Sequence, residues 1–268
     1  MSKKIITIII PTYNRKIKIK TIINFLKYSN FIKILIIEDG SVESIKNYNK
    51  KLTNQYPEIS YFFYKKNKGQ SFACNFGLAY VDTDYVWFFD DDDLVHCNSI
   101  VKILREIKLK KGDGYLLPMD QTYNGVIVNS VIPSSRPHSF NDLRSNGQLV
   151  STSCSIFKTK LIKKIKGWDE NLYGGTDTDL FLRFSKIARF RFVNCAPVIV
   201  DISHPERLTN KVFRQLGAKI NFLKKHWNNL SNKRRFYYIY SMFLLLPLFY
   251  GIKNHIKYIY NKNLRSHV

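Results

Sequence analysis

The chain has 268 residues, 45% of them hydrophobic, and a formal net charge of +23 at pH 7. That length and apolar content suffice to bury a full core, which excludes an extended disordered polymer and predicts one main domain with an appended segment. The four cysteines, Cys74, Cys97, Cys154 and Cys195, form no CxxC pair, so neither a zinc site nor a disulfide framework is indicated, and reduced thiols fit a cytosolic setting.

The opening MSKKIITIII is basic and then apolar, but its apolar run is short and Pro11 ends it, so it reads as a buried strand and not as a signal peptide. Over the first 120 residues, short β-branched runs alternate with helical stretches. This predicts strands at 5–10, 32–37, 59–64, 85–89 and 115–119, with helices at 16–28, 42–55, 71–80 and 98–110. Such alternation makes βαβ units and a mainly parallel sheet flanked by helices. The first four strands each lead into a polar cluster: PTYNR at 11–15, EDGS at 38–41, NKGQ at 67–70 and DDDD at 90–93. In an open α/β sheet this is the edge where ligands bind.

The most informative cluster is WFFDDDD, an apolar run opening without a spacer into Asp90, Asp91, Asp92 and Asp93. Packed like charges require a counter-cation, and Asp-X-Asp at a strand tip suits Mg²⁺ or Mn²⁺, which take few carboxylates and complete their shells with phosphate oxygens. The plainer reading is a solvated acidic turn capping the next helix.

Beyond residue 111 the pattern changes. Asn124-Gly125 between apolar runs predicts a hairpin, and residues 133–150, rich in Ser, Pro, Asn and Gly, read as a loop. A strand at 150–157 and a helix at 158–165 precede a second acidic cluster, GWDENLYGGTDTDLFLR at 167–183. Asp177 and Asp179 there stand between a Gly-Gly turn and an apolar helix, where an N-terminal cap is the plainer role. Strands at 190–193 and 198–201 follow, then His204.

From residue 202 onward there are thirteen Lys or Arg against one acid, Glu206. Residues 236–252, FYYIYSMFLLLPLFYGI, are uncharged and flanked by Lys233, Arg234, Arg235, Lys253 and Lys257. Aromatics beside cations suit an anionic membrane surface better than nucleic acid, and a stretch this short containing Pro247 favours an in-plane helix over a spanning one. A packed core or dimer helix is the alternative.

These clusters, in this order, resemble the inverting nucleotide-sugar glycosyltransferases of family 2, which have the GT-A fold; the resemblance covers about residues 3–205. The resemblance implies a GT-A (Rossmann-like) domain at 1–205, with a nucleotide-binding half at 1–120 and an acceptor half at 121–205. A basic, helical, membrane-associating segment follows at 206–268. Pro11, Thr12, Tyr13, Glu38 and Asp39 would line the nucleoside pocket, and Asn67 belongs to the glycine-containing donor loop. Asp90 and Asp91 would touch the donor, Asp92 and His204 would hold Mn²⁺ or Mg²⁺, Asp93 would support them, and Asp177 would be the catalytic base. The implied partners are a nucleoside diphosphate sugar, UDP-linked by family habit, and a saccharide acceptor, lipid-linked in surface polysaccharide synthesis at the cytoplasmic face of the membrane. The rival from another class is a basic protein that binds nucleic acid or membrane on a degenerate transferase fold; intact Asp92 and Asp177 argue against it. Two departures from the family pattern stand out. Cys74 replaces an arginine before Asn75, leaving Arg15, Lys68 or Arg207 to supply the cation, and Thr176-Asp177 replaces a Glu-Asp pair.

Overall fold

The computed structural model describes residues 4–135, 138–203 and 212–244. The described residues fall into two compact units, one of residues 4–135, 138–171 and 176–203 and one of residues 172–175 and 212–244.

In the first unit, β1 (Ile6–Thr12), β2 (Ile32–Asp39), β3 (Ile59–Tyr64) and β4 (Tyr85–Phe88) run parallel in the spatial order β3-β2-β1-β4. The helices α1 (Ile19–Leu26), α2 (Glu43–Thr53) and α3 (Gln70–Ala79) connect them, and α4 (Cys97–Leu109) leads out of β4. β1 and β2 are near-continuous Ile/Leu runs because a parallel strand between helix layers is buried on both faces. β1 runs past its last pairing with β4, Ile9 against Phe88, so Pro11 sits where one of its two ladders has ended. The sheet continues through β8 (Ser155–Lys158), antiparallel to both β4 and β5 (Gly114–Leu116), and ends on β9 (Phe190–Phe192), parallel to β5.

The expected strand at 115–119 is two strands. β5 ends at Leu116, and Pro118, which has no N–H for a ladder, marks the turn into β6 (Met119–Tyr123). β6 lies between β7 (Val126–Val131) and β10 (Val198–Asp201) in a separate small sheet. Asn124 and Gly125, both at positive φ, make the expected hairpin turn. The 133–150 stretch holds a helix, α5 (Phe140–Asn146), closed by a capping box in which Ser139 and Asp142 bond each other's backbone. The expected strand at 150–157 begins instead as a 3-10 turn, Thr152–Cys154. After β8 come α6 (Thr159–Lys164) and α7 (Thr176–Ser185).

Aromatic packing stiffens the strands that carry the acidic cluster. Phe25, Trp87 and Phe89 meet edge-to-face at 5.0–5.5 Å, and Phe157 packs against Phe88, Phe181, Phe184 and Phe190 at 5.1–6.1 Å. The second unit is a helix pair, α8 (Val212–His226) and α9 (Asn232–Phe243), held by Lys219 Nζ donating to Ser241 Oγ at 2.8 Å and by Phe222 against Tyr238 at 5.0 Å. Among the described residues no helix is long and apolar enough to cross a membrane.

The expected helix start at residue 16 is a loop, because Asn49 of α2 claims its backbone. Fully buried, Asn49 donates to the Arg15 carbonyl at 2.9 Å and to Glu38 at 2.6 Å, and accepts from Ile17 N–H at 2.9 Å. Asn49→Leu removes three bonds and strips a donor from the buried Glu38 carboxylate, so it is expected to lower unfolding free energy by about 3–5 kcal/mol. A denaturant midpoint and slope matching the parent would show that Asn49 does not organise this loop.

Candidate active site

Four segments converge at the C-terminal edge of the parallel strands. At the end of β2, Asp39 is nearly buried and accepts from Lys68 N–H (2.7 Å), Gly69 N–H (2.8 Å) and Asn67 Nδ2 (3.0 Å), which fixes the 66–69 turn across the strand tip. Gly40 makes that approach possible. At φ +68°, a Cβ there would stand 2.3 Å from Asn67 N and 2.4 Å from the Lys66 carbonyl carbon. Glu38 faces inward, fully buried, and its oxygens accept from Ser41, Asn49 and Tyr61. Its position therefore links the strand end to α2 and β3. Burial and then the Glu38 carboxylate push the Tyr61 phenol well above its usual range, keeping it a donor.

The four aspartates of 90–93 have separate surroundings. Asp91 turns inward, accepting from Thr12 Oγ1 at 2.6 Å and from Arg15 at 2.7 Å; burial lifts its pKa above the ordinary range in spite of both donors. The same guanidinium nitrogen reaches Asp92 at 2.8 Å. Asp90 accepts from Gln70 Nε2 at 2.9 Å, and its backbone N–H donates to Ser153 Oγ at 3.0 Å. Asp93 is fully buried; Oδ1 accepts from Asp201 N–H at 3.2 Å, while Oδ2 has no hydrogen-bond partner among the described residues. Burial, then Asp90, hold Asp93 well above the usual carboxylate range.

Asp90, Asp92 and Asp93 each offer an oxygen within 4.8 Å of the others. Hard oxygen donors at this spacing, one of them buried and unpartnered, fit Mg²⁺ or Mn²⁺. Asp91 stands outside this set, and His204 lies outside the described residues.

Asp177 and Asp179 diverge at the start of α7. Asp179 is fully buried and takes Arg183 Nε and a terminal nitrogen at 2.8 and 2.6 Å, while Arg183 also reaches the Ile165 carbonyl at 2.8 Å. That pair anchors α7. Asp177 is half-exposed at the first turn. Cys74, where an arginine was expected, is fully buried. Burial first, and then the negative charges of Asp90, Asp177 and Asp39, push its thiol pKa well above the usual range. Next to it, Asn75 clamps the turn at 167–170, accepting from Trp168 N–H at 2.8 Å and donating to the Trp168 carbonyl (2.9 Å) and Glu170 (2.7 Å). Of the other residues expected here, Pro11 and Thr12 are buried, and Tyr13 and Asn67 are exposed.

Arg15 and Gln70 lie in the polar clusters 11–15 and 67–70 that the sequence marks, though without their partners; Asn49 and Ser153 left no sequence signal, because isolated polar residues carry no periodicity.

A mainly parallel sheet with acids at its strand ends and an Asp-X-Asp after β4 is the GT-A arrangement. Residues 7–166 match the profile of Glycosyl transferase family 2, and the chain belongs to that family. S. aureus TarS 1–349 in complex with UDP-GlcNAc superposes with a TM-score of 0.64 at 17% identity, over 82% of this chain and 66% of that one. A Pyrobaculum calidifontis mannosyltransferase, PcManGT, in complex with GDP-Man and Mn²⁺ gives 0.60 at 14% identity, over 92% of this chain and 71% of that one. The GalNAc(5)-diNAcBac-PP-undecaprenol beta-1,3-glucosyltransferase of Campylobacter jejuni is 22% identical over 186 residues, 65% of this chain and 57% of that relative. The chain spans about half the length of curated relatives that it matches.

Because burial raises Asp93 in the fold, the unfolded chain loses this proton at lower pH, and stability falls as pH rises from about 4 toward the folded value. Without divalent ions, Asp93→Asn is therefore expected to raise the melting temperature at pH 7.5 and to leave it unchanged or lower at pH 4. Equal melting curves for the two proteins at pH 7.5 would mean that the buried charge costs nothing.

Proposed function

We propose that the chain transfers a sugar, with inversion, from a nucleoside diphosphate sugar to a hydroxyl of a saccharide acceptor, with a divalent cation at the Asp90–Asp92–Asp93 cluster. The observation that supports this reading best is the Asp90, Asp92 and Asp93 cluster after β4, with an oxygen of each within 4.8 Å of the others, at the sheet edge where Asp39 ends β2. UDP is the favoured nucleotide, in keeping with the UDP-GlcNAc bound to TarS, and Mn²⁺ or Mg²⁺ the favoured ion, in keeping with the Mn²⁺ of PcManGT. A lipid-linked acceptor in surface polysaccharide synthesis is supported by the undecaprenol-linked substrate in the name of the C. jejuni relative.

The residues divide the work. Thr12 and Arg15 hold Asp91 and Asp92 at the strand tip, and Asp39 fixes the 66–69 turn that borders the nucleoside. Asp90, Asp92 and Asp93 would hold the metal, which when bound offsets the charge growing on the leaving diphosphate. Asp177 takes the proton from the acceptor hydroxyl as its oxygen attacks the anomeric carbon, and one displacement inverts that centre. No general acid is required, since a neutralised diphosphate leaves unprotonated.

Asp177→Asn is expected to reduce transfer by about 10²-fold or more while donor affinity stays within a few-fold of the parent. Asp92→Ala is expected to abolish Mn²⁺-dependent donor binding. A panel of nucleotide sugars with Mn²⁺, read by titration calorimetry and product formation, tests both. Turnover at the parent rate in either variant would remove that residue from its role.

A further inference from the structure

One part of the molecule stands apart from glycosyl transfer. Residues 212–244 contain seven Lys or Arg and no Asp or Glu. Within them, α9 carries Phe236, Tyr240 and Phe243, which are 70%, 54% and 55% exposed. Spaced i, i+4 and i+7, they share one helix face with the exposed Lys233, flanked by the exposed Tyr237 and Ile239. Phe236 and Tyr240 stack with rings 9° from parallel at 6.3 Å. The opposite side is accounted for: Tyr238 packs on Phe222, and Ser241 accepts from Lys219. The aromatic face therefore belongs to a formed helix pair whose packing does not use it.

We propose that this face docks the protein on an anionic lipid bilayer, with Phe236, Tyr240 and Phe243 entering the headgroup–acyl boundary. The distribution of charge along α9 selects this partner. Lys233, Arg234 and Arg235 crowd its first turn, and no charged residue follows through residue 252. On the docking face Lys233 stands beside Phe236, Tyr240 and Phe243 with no acid among them, which pairs a headgroup-binding cation with rings that enter the headgroup–acyl boundary while the helix lies in the membrane plane. Single-stranded nucleic acid also rewards aromatics and cations, but it requires the cations to track the backbone along the whole face. Arg234 lies over Tyr237 at 4.6 Å and Arg235 over Trp227 at 4.8 Å, so both guanidinium groups are held against rings of the helix pair at the cationic end of α9. The formal charge of +23 supplies the attraction and the ring face the hold.

The test is vesicle co-sedimentation of the full chain, using phosphatidylglycerol/phosphatidylcholine vesicles against phosphatidylcholine alone, with Phe236→Ser/Tyr240→Ser/Phe243→Ser as the variant. These side chains are exposed, so the variant is expected to fold; unchanged circular dichroism and donor binding check this. The parent should bind the anionic vesicles, and the variant should partition at least about ten-fold less, the equivalent of burying a single aromatic side chain. Raising salt to about 0.5 M should weaken the parent without reducing it to the level of the variant, because the apolar contribution is not screened. The proposal is overturned if the parent ignores anionic vesicles, if the variant binds them as well as the parent, or if the variant instead loses affinity for a single-stranded oligonucleotide that the parent prefers to lipid.

Discussion

Mutual repulsion among consecutive carboxylates at the end of a buried strand is the constraint around which this site is arranged. Oxygens of Asp90, Asp92 and Asp93 lie within 4.8 Å of one another. At an effective dielectric near 20, each ionised pair at that distance costs roughly 3 kcal/mol, a sizeable fraction of the stability of a whole domain. The protein offsets part of it. Arg15 bridges Asp91 and Asp92, Thr12 supports Asp91, and Asp93 is shifted by burial toward its neutral form. What remains is a set of oxygens close to one another, with Asp93 Oδ2 lacking a hydrogen-bond partner among the described residues, an arrangement that a divalent cation would stabilise.

The fold serves that arrangement. A parallel sheet brings the C-terminal ends of β1, β2 and β4 to one edge, so that residues at 12, 39 and 90 become neighbours. Local conformation completes it. Gly40 permits the close passage of the 66–69 turn, Asn49 holds the Arg15 loop, and Asn75 ties the segment leading toward α7 to α3. The antiparallel β8 inserts beside β4 and brings the preceding Ser153 within reach of both Trp87 and Asp90. Cys74 is an uncharged, buried thiol, and the cation paired with the aspartates is Arg15, at 2.7 Å from Asp91 and 2.8 Å from Asp92.

The parallel half of the sheet was readable because buried strands and amphipathic helices repeat with different periods; β1 to β4 and α1 to α4 lie near the expected ranges. The departures have local chemical causes. Residues 115–119 are continuous in hydrophobicity, yet Pro118 divides them between two sheets. Residues 133–150 have a loop's composition, yet Ser139 and Asp142 cap a two-turn helix inside it, with Asp in the position where Glu or Gln is the usual signal. In the site, clustered acids were visible as a motif, whereas Asn49 and Ser153 act across 32 and 63 residues of sequence. Single polar side chains at such separations leave no pattern for a sequence reading to find. The acidic motif at 177–179 was visible as a unit but not as two roles, since only packing sends Asp179 inward to Arg183 and leaves Asp177 at the surface.

The most direct test of the central claim is anomalous diffraction at the manganese edge from crystals of the full chain grown with Mn²⁺ and UDP. One dominant peak is expected within bonding distance of Asp92 and at least one of Asp90 and Asp93, with nucleotide density running toward Asp39. Ordered nucleotide with no peak at those carboxylates, or a dominant peak elsewhere in the protein, would contradict it.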